Sequence, residues 1–427
     1  MGKPKIDIKR YLASSFIKSV ITIFTGGAIA QVIPFLVEPI LTRIYTPEEF
    51  ALFAQFVSFT TLFTIVATAR YELAIMLPKT ERKSINVFAL SLIISMVITI
   101  ISFLTVLLFR FPIAHFLKNE KLSIFLWLTP IAVLFAGLYQ ALNYWSLRNK
   151  RFGLISISRI VQTTTNSGGN ILFGLLKWGS KGLIVAFIIG QFTSFFSFLR
   201  KFFRSDKRTV KLINKKEMKE MATHYSDFPK INSLHAFTDI LQQSLVIFLL
   251  SFFFTSDDVG YYSRTFRLLI APISLIGSSV GQVFFQRASN EYAQGKNIRE
   301  FVLKNLKMML WVAIPFLIII STLAPPIFGW FLGKGWEQAG FYARYISLWL
   351  TMSIIISPIS TIPLIVGKQK QAFLLSLLGN SLIILSVWTG GYFFKDIKIS
   401  LMLISSSMFI YFSFVLYWFV KISERKQ

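Results

Sequence analysis

The sequence predicts an all-α polytopic membrane protein of about twelve transmembrane helices in two parallel six-helix repeats. Three observations carry that reading: long apolar runs, charge confined to the segments between them, and short motifs that recur six runs later. Of the 427 residues, 54% are hydrophobic and 15% charged, with a mean hydropathy of +0.62. A soluble domain carries about 25% charge. A run of roughly 20 apolar residues matches the thickness of a bilayer. Lipid offers the backbone no hydrogen-bond partner, so such runs must close their bonds within the segment, as helices. The alternating pattern of a membrane barrel is absent.

The runs lie near 18–40, 50–68, 85–109, 122–144, 154–176, 181–199, 236–254, 265–285, 308–323, 341–363, 371–390 and 398–420. The first follows Lys3, Lys5, Lys9 and Arg10. It lacks the short apolar core and small-residue cleavage site of a signal peptide, so it reads as a retained helix. Pro34 and Pro39 bracket Glu38 and predict a bend there. Asp239 interrupts the seventh run, and Pro325-Pro326 shortens the ninth.

Net charge is +26. In a soluble chain that balance would suggest nucleic acid. Here the bases sit between apolar runs, so they read as the Lys/Arg-rich loops of the cytoplasmic side, and no nucleic-acid partner is expected. An even number of spans puts both termini on one side. With the N-terminus inside, the great majority of the 45 Lys and Arg residues fall in cytoplasmic loops. The opposite side keeps few, among them Arg43, Arg110, Lys177 and Lys334. Both termini are therefore expected on the cytoplasmic side of the membrane.

The longest polar segment, 200–235, divides the chain into an N-terminal six-helix lobe (1–199) and a C-terminal one (236–427). It mixes many bases with Phe202, Phe203, Leu212, Ile213, Met218 and Met221. That mixture predicts an amphipathic linker lying on the cytoplasmic leaflet, ended by Pro229. The repeats agree with this division. Thr46-Pro47-Glu48-Glu49 opens the second run, and Thr255-Ser256-Asp257-Asp258 opens the eighth, an offset of 209 residues. Gly169-Asn170 precedes Trp178 as Gly379-Asn380 precedes Trp388, an offset of 210 residues. An offset of six helices preserves orientation, so the repeats are parallel, an arrangement that in transporters places substrate between two bundles. Each Thr can also cap the helix that follows, with the acids favouring its N-terminal dipole.

Ionisable residues inside membrane helices are costly and become functional candidates. They are Glu38, Arg159, Asp239, Arg264, Arg267 and Arg344. Arg159, Gln162, Thr163, Asn166 and Asn170 recur at helical spacing and share one face of the fifth span. For Gln162, Thr163 and Asn170 helix–helix bonding is the favoured reading; Arg159 stands between that role and a cavity wall. His235, Asp239 and Gln242 or Gln243 share a face of the seventh span, either as a polar wall or cation site or as an interfacial pair. Arg264 and Arg267 begin the eighth span, continued by Ser274, Ser278 and Gln282. Arginine recognises phosphate oxygens bidentately; the competing reading is snorkelling to the outer interface, above all for Arg264. Arg344 shares a face with Ser347 and Thr351, and Gln31 shares one with Glu38. Arg70-Tyr71-Glu72 ends the second span as an interfacial anchor or a gate.

Enzyme readings find little. The chain has no cysteine, and His115, His224 and His235 show no metal-ligand spacing. No Gly-rich phosphate loop occurs. Asp257-Asp258 reads as a helix cap rather than a glycosyltransferase acid pair. No extracytoplasmic loop is long enough for the catalytic domain of a membrane polymerase. No cofactor or metal is expected.

Several stretches resemble the polysaccharide (O-antigen) flippase family, Wzx-type, of the multidrug/oligosaccharidyl-lipid/polysaccharide exporter superfamily. They are 41–53, opening Leu41-Thr42-Arg43-Ile44-Tyr45; Arg70-Tyr71-Glu72-Leu73-Ala74-Ile75 with Leu77-Pro78; Tyr225-Ser226-Asp227-Phe228-Pro229-Lys230; and Val259-Gly260-Tyr261-Tyr262 through Gly281-Gln282 to Arg287-Ala288. The resemblance implies a V-shaped two-lobe bundle that works by alternating access. It implies an undecaprenyl-pyrophosphate-linked oligosaccharide as cargo, for O-antigen-like or lipopolysaccharide synthesis. Membrane lipids and the polymerase and chain-length proteins of the same pathway are its implied partners, with the chain acting as a monomer. A cavity lined by Arg159, Arg267, Arg344, Gln31, Asn166, Gln242 and Gln282 would meet the diphosphate. Glu38, Asp239, Arg70 and Glu72 are the candidates for gating or ion coupling. The related ion-coupled multidrug exporter is the alternative, for which more acids than arginines would be expected in the cavity.

Overall fold

A computed structural model describes residues 15–424, and their regular structure is entirely helical. The terminal bases Lys3, Lys5, Lys9, Arg10, Arg425 and Lys426 lie outside the described residues. Numbering helices of nine or more residues, the order is α1 Ser15–Ile44, α2 Pro47–Thr64, α3 Glu81–Phe116, α4 Thr129–Arg148, α5 Phe152–Leu175, α6 Ser180–Ser205 and α7 Lys215–His224. The chain continues with α8 Ser233–Phe253, α9 Ser256–Ala293, α10 Arg299–Leu332, α11 Glu337–Tyr345, α12 Ser347–Ile356, α13 Gln369–Thr389 and α14 Ile397–Ile422. Each of the twelve apolar runs falls on helical chain. Among the described residues, 10 helices are long and apolar enough to cross a membrane. The two runs outside that set fall on α2 and α5. Both are long enough, at 18 and 24 residues, but Glu48, Glu49 and Gln55 in α2 and the Arg159–Asn170 stripe in α5 lower their apolar character. Pro325-Pro326 does not break the ninth run: α10 continues through both prolines and through Pro315. Neighbouring helices make such interruptions tolerable in a bundle, and Gly340 of α11 packs on the Ala324–Pro325 backbone, where a Cβ would come within 2.4 Å of Pro325 Cα.

The chain forms two compact units. One takes the residues up to Ile44 and Phe56–Ser244; the other takes Tyr45–Gln55 and Leu245 onward. Helix α2 therefore gives its first half to one unit and its second half to the other, and α8 divides likewise.

In the first unit, a buried apolar cluster forms around Tyr71, Phe88, Trp145, Phe198, Phe202 and Met221. Trp145 packs edgewise on Phe202, and Phe88 stacks on the same ring at 5.3 Å. A buried carboxylate completes this core. Asp206 accepts the Trp145 indole N–H at 2.9 Å and both terminal nitrogens of Arg151 at 2.5 and 2.6 Å. Helix α7 belongs to the same assembly. Asn214 caps it, and Asn86 of α3 receives the Asn214 amide at 2.8 Å while donating to the Leu212 carbonyl and Glu217. Arg82 pairs with Glu217 at 2.6 Å, and Tyr71 donates to the Ala222 carbonyl. Met221, on the face that the sequence turned towards lipid, is buried in the protein core.

In the second unit both copies of the Thr-acid-acid repeat form the same device. Thr46 Oγ1 accepts the Glu49 amide while Glu49 accepts the Thr46 amide, and Thr255 with Asp258 repeats the exchange. Such boxes satisfy two otherwise orphan donors at a helix start. The two caps meet at Gly260, where a Cβ would come within 2.0 Å of the Pro47 carbonyl oxygen.

Two stability predictions result. Arg151→Ala strands the buried Asp206 carboxylate and is expected to cost about 3–5 kcal/mol, measured as a lowered unfolding midpoint in detergent, while Lys370→Ala leaves the midpoint in place. Gly260→Ala forces backbone apart at Pro47 and is expected to cost about 1–3 kcal/mol; an unchanged midpoint would show that the two caps do not pack as described.

Candidate functional site

The densest gathering of candidate residues lies in the first unit, where α2 ends. The chain leaves α2 through two consecutive non-glycine residues in the left-handed region, Ala69 (φ 46°) and Arg70 (φ 61°). Each costs roughly 1–2 kcal/mol against a right-handed conformation. Arg70 then opens a single helical turn, Tyr71–Ala74. The reversal sends Glu72 inward, where it is 1% exposed. Its carboxylate accepts the Thr68 hydroxyl and lies 3.5 Å from Arg70 Nη1. Arg70 Nε is itself buried and makes no hydrogen bond. Burial pushes the Glu72 carboxyl above its ordinary range, against the downward pull of Thr68 and Arg70.

Helix α4 faces this turn. Gln140 donates to the Thr64 carbonyl at 3.1 Å, with its oxygen 3.5 Å from Thr68 Oγ1. The Tyr144 hydroxyl stands within electrostatic reach of Glu72, Arg70 and Arg159. Arg159 of α5 interacts with the Tyr139 hydroxyl. On its other side it lies against α1, where the missing side chain of Gly27 leaves a Cβ position 3.7 Å from Arg159 Nη1. Three of the predicted residues, Arg70, Glu72 and Arg159, are thus linked through Tyr144.

Beyond Arg159 the polar stripe of α5 turns into a helix–helix seam. Gln162 donates to Gln191 of α6 at 3.0 Å, and Asn170 donates to Asn166 at 3.0 Å. Gly190 of α6 admits Asn166, whose Cβ would stand 3.1 Å from an added Cβ. Glu38 on α1 is buried, while Gln31 on the same helix is exposed. On α8, His235 Nδ1 lies 3.5 Å from Asp239, both about half exposed, with Gln242 half-buried.

The second unit distributes its cations differently. Arg264, expected at the interface, is 4% exposed and holds its guanidinium 4.1 Å above the Phe50 ring. Arg267 and Gln282 are exposed on α9. Ser274 and Ser278 spend their hydroxyls on carbonyls of their own helix. Arg344 donates to the Thr322 carbonyl at 2.9 Å, and its Nε is buried without a hydrogen bond.

Residues not singled out from the sequence complete the first-unit cluster: Thr68, Tyr139, Gln140 and Tyr144. A signal existed, since Gln140, Asn143 and Tyr144 stand at helical spacing on α4, and Asn143 Oδ1 is buried without a hydrogen bond. Among the described residues no group of acids and histidines could hold a metal ion. The first-unit cluster offers guanidinium and hydroxyl groups for charge recognition, beside the buried Glu72 carboxyl.

Comparison with known proteins fits this picture. The profile of a family described as "Polysaccharide biosynthesis protein" matches residues 40–340. No curated protein matches the chain. Among solved structures, the lipid II flippase MurJ in an inward closed conformation superposes with a TM-score of 0.70 at 17% identity, over 94% of this chain and 90% of that one. An outward-facing multidrug resistance MATE family transporter of the MOP superfamily gives 0.61 at 15% identity, over 96% and 97% of the two chains. A MOP superfamily transporter from Pyrococcus furiosus, described as having a binding pocket of reverse polarity, gives 0.61 at 13% identity, over 94% of each. At these identities the likeness is one of fold, and the neighbours are transporters. The chain belongs to the polysaccharide biosynthesis protein family, as a polytopic integral membrane protein with the all-helical fold of the MOP superfamily transporters.

Proposed function

We propose that the protein is a flippase that moves undecaprenyl-pyrophosphate-linked oligosaccharide units from the cytoplasmic to the periplasmic leaflet of a bacterial inner membrane, for surface polysaccharide synthesis. The observation that carries this reading is the half-buried placement of Arg159 beside Tyr139, Tyr144 and the Gly27 backbone, within a polysaccharide biosynthesis family. A guanidinium where water is scarce matches an anionic headgroup, because charge-assisted bonds to phosphate strengthen as the dielectric falls. Arg267 and Arg344 would supply further cations in alternating access between two parallel six-helix repeats of twelve spans, with both termini cytoplasmic. No covalent chemistry is required. An inside-negative potential favours outward movement of an anion by about 2.3 kcal/mol per charge per 100 mV.

Glu72 is the strongest coupling residue. It is buried, set by a strained turn, and linked through Tyr144 to Arg159. Protonation would release Arg70 from its partner and alter the field at Tyr144. Glu38 and Asp239 are secondary candidates. The second reading, an ion-coupled multidrug exporter, draws on the multidrug neighbours of the fold. It is disfavoured by the excess of guanidinium over carboxylate among the intramembrane candidates, since cationic drugs call for the opposite sign.

Arg159→Ala is expected to lower surface glycan about tenfold or more at matched protein level, with Arg159→Lys retaining part of it because the charge survives without the bidentate fork. Wild-type glycan in both Arg159→Ala and Arg267→Ala would overturn the cationic site. For Glu72, the raised carboxyl makes the folded state the better proton binder. Its contribution to stability is therefore fully present below the ordinary carboxylate range and lost as pH rises through the raised value. Glu72→Gln is expected to flatten that part of the stability–pH curve and to abolish acceleration of flipping by an imposed pH gradient; a gradient response that survives the substitution removes Glu72 from coupling.

A further inference from the structure

The segment that leaves α6 carries a charge distribution that neither the bundle nor the transport reading uses. Between residues 200 and 212 it holds six bases, Arg200, Lys201, Arg204, Lys207, Arg208 and Lys211, all exposed. Its one acid, Asp206, points the other way and is consumed by Arg151 and Trp145. Phe202 follows Asp206 inward, stacked on Phe88. The neighbouring apolar residues face out: Phe203, Val210 and Leu212 are 56%, 42% and 39% exposed. The acids that come next in sequence are likewise spent on the bundle, Glu217 on Arg82 and Asn86, and Glu220 on Lys83. Folding thus turns Asp206 inward and pairs Glu217 and Glu220 with bases of α3, leaving an outward face of cations interleaved with apolar side chains.

That outward face is held in place. Thr209 bonds back to the Asp206 carbonyl at 2.7 Å, and Asn86 fixes the Leu212 carbonyl and the Asn214 amide on α3. It also continues directly from Ser180–Ser205, a helix long and apolar enough to span the membrane. Cations beside exposed apolar residues at the end of a spanning helix meet the two chemistries of a lipid interface at once, acyl carbon and headgroup phosphate. A nucleic acid would use the charges and leave Val210 and Leu212 idle.

We propose that the exposed face of residues 200–212 is a binding surface for the anionic headgroups of phospholipid in the leaflet where α6 ends. The sequence assigned contact with this leaflet to the amphipathic linker as a whole. The structure divides the linker: α7 packs on the first unit through the buried Met221 and the Glu217 contacts, whereas the stretch before it turns bases and apolar side chains outward together. This inference is independent of what the protein transports.

The test uses the full chain purified in a neutral detergent, with bound lipid counted by native mass spectrometry. Phosphatidylglycerol is expected to be retained about tenfold more strongly than phosphatidylcholine, and added salt should erode the preference. The triple variant Lys207→Gln, Arg208→Gln, Lys211→Gln should reduce it to about threefold or less, while a control triple at the exposed Lys296, Lys368 and Lys370 keeps it. Equal losses in both triples, or displacement of the lipid by inorganic pyrophosphate at equimolar concentration, would overturn the assignment, the second by marking a site for free anions. Acetylation footprinting of the unsubstituted protein in vesicles gives a readout independent of whether the variants fold. Lys207 and Lys211 should react more slowly in phosphatidylglycerol than in phosphatidylcholine, and equal rates would refute the surface.

Discussion

A charge carried into an apolar helical bundle has to be met there, because the cost of leaving an ion unpaired in a low dielectric exceeds what most single packing contacts return. Much of this protein's architecture follows from that constraint. Asp206 is buried and receives three donors from two residues. Glu217 and Glu220 reach back to the start of α3. Arg148 spends its fork on the carbonyls of Ile75, Met76 and Pro78, where the chain turns between helices. Each pairing joins elements distant in sequence, so the ionic partners fix how the helix ends meet while apolar packing fills the space between them.

Against that background Glu72 is conspicuous. Its one cationic neighbour stands at 3.5 Å, farther than either Arg151 contact with Asp206. The turn that buries it is strained at two successive residues. A structural carboxylate is expected to resemble Asp206, fully bonded in a relaxed backbone. Glu72 instead sits beside a strained turn, held by the Thr68 hydroxyl with Arg70 near by, and burial raises its affinity for a proton. Strain of this kind survives where the surrounding structure over-determines it, and such positions cluster at functional sites.

The helical, membrane-spanning character was legible because it depends on local composition. Twelve apolar runs sufficed to locate helical chain, and the Thr-acid-acid repeat announced two capping boxes that both form. What escaped was set by partners far along the chain. The stripe on α5 was visible, but Gln191 and Gly190 on α6, which turn its lower part into a seam, carry no mark of that role in their own sequence. Arg264 looked interfacial from its position near a span end; an aromatic ring some two hundred residues earlier, Phe50, covers it instead. The linker read as amphipathic, and it is, yet Met221 is buried in the same apolar cluster as Tyr71 and Trp145. Periodicity reports that a face is apolar and leaves open what covers it.

The same logic separates the two kinds of arginine in the molecule. Arg151 has its terminal donors committed to the Asp206 carboxylate, so it adds no net charge to its surroundings. Arg159 interacts with a tyrosine hydroxyl, a neutral partner that leaves its positive charge uncompensated in place. Arg344 has one carbonyl, also neutral, and an unbonded Nε. A fold that pairs Arg151 with a buried carboxylate and meets Arg159 and Arg344 with neutral groups retains positive potential at the latter two positions. Retaining it is costly to the folded protein unless an anion arrives to share it, and this asymmetry is what argues for an acidic cargo over a cationic one.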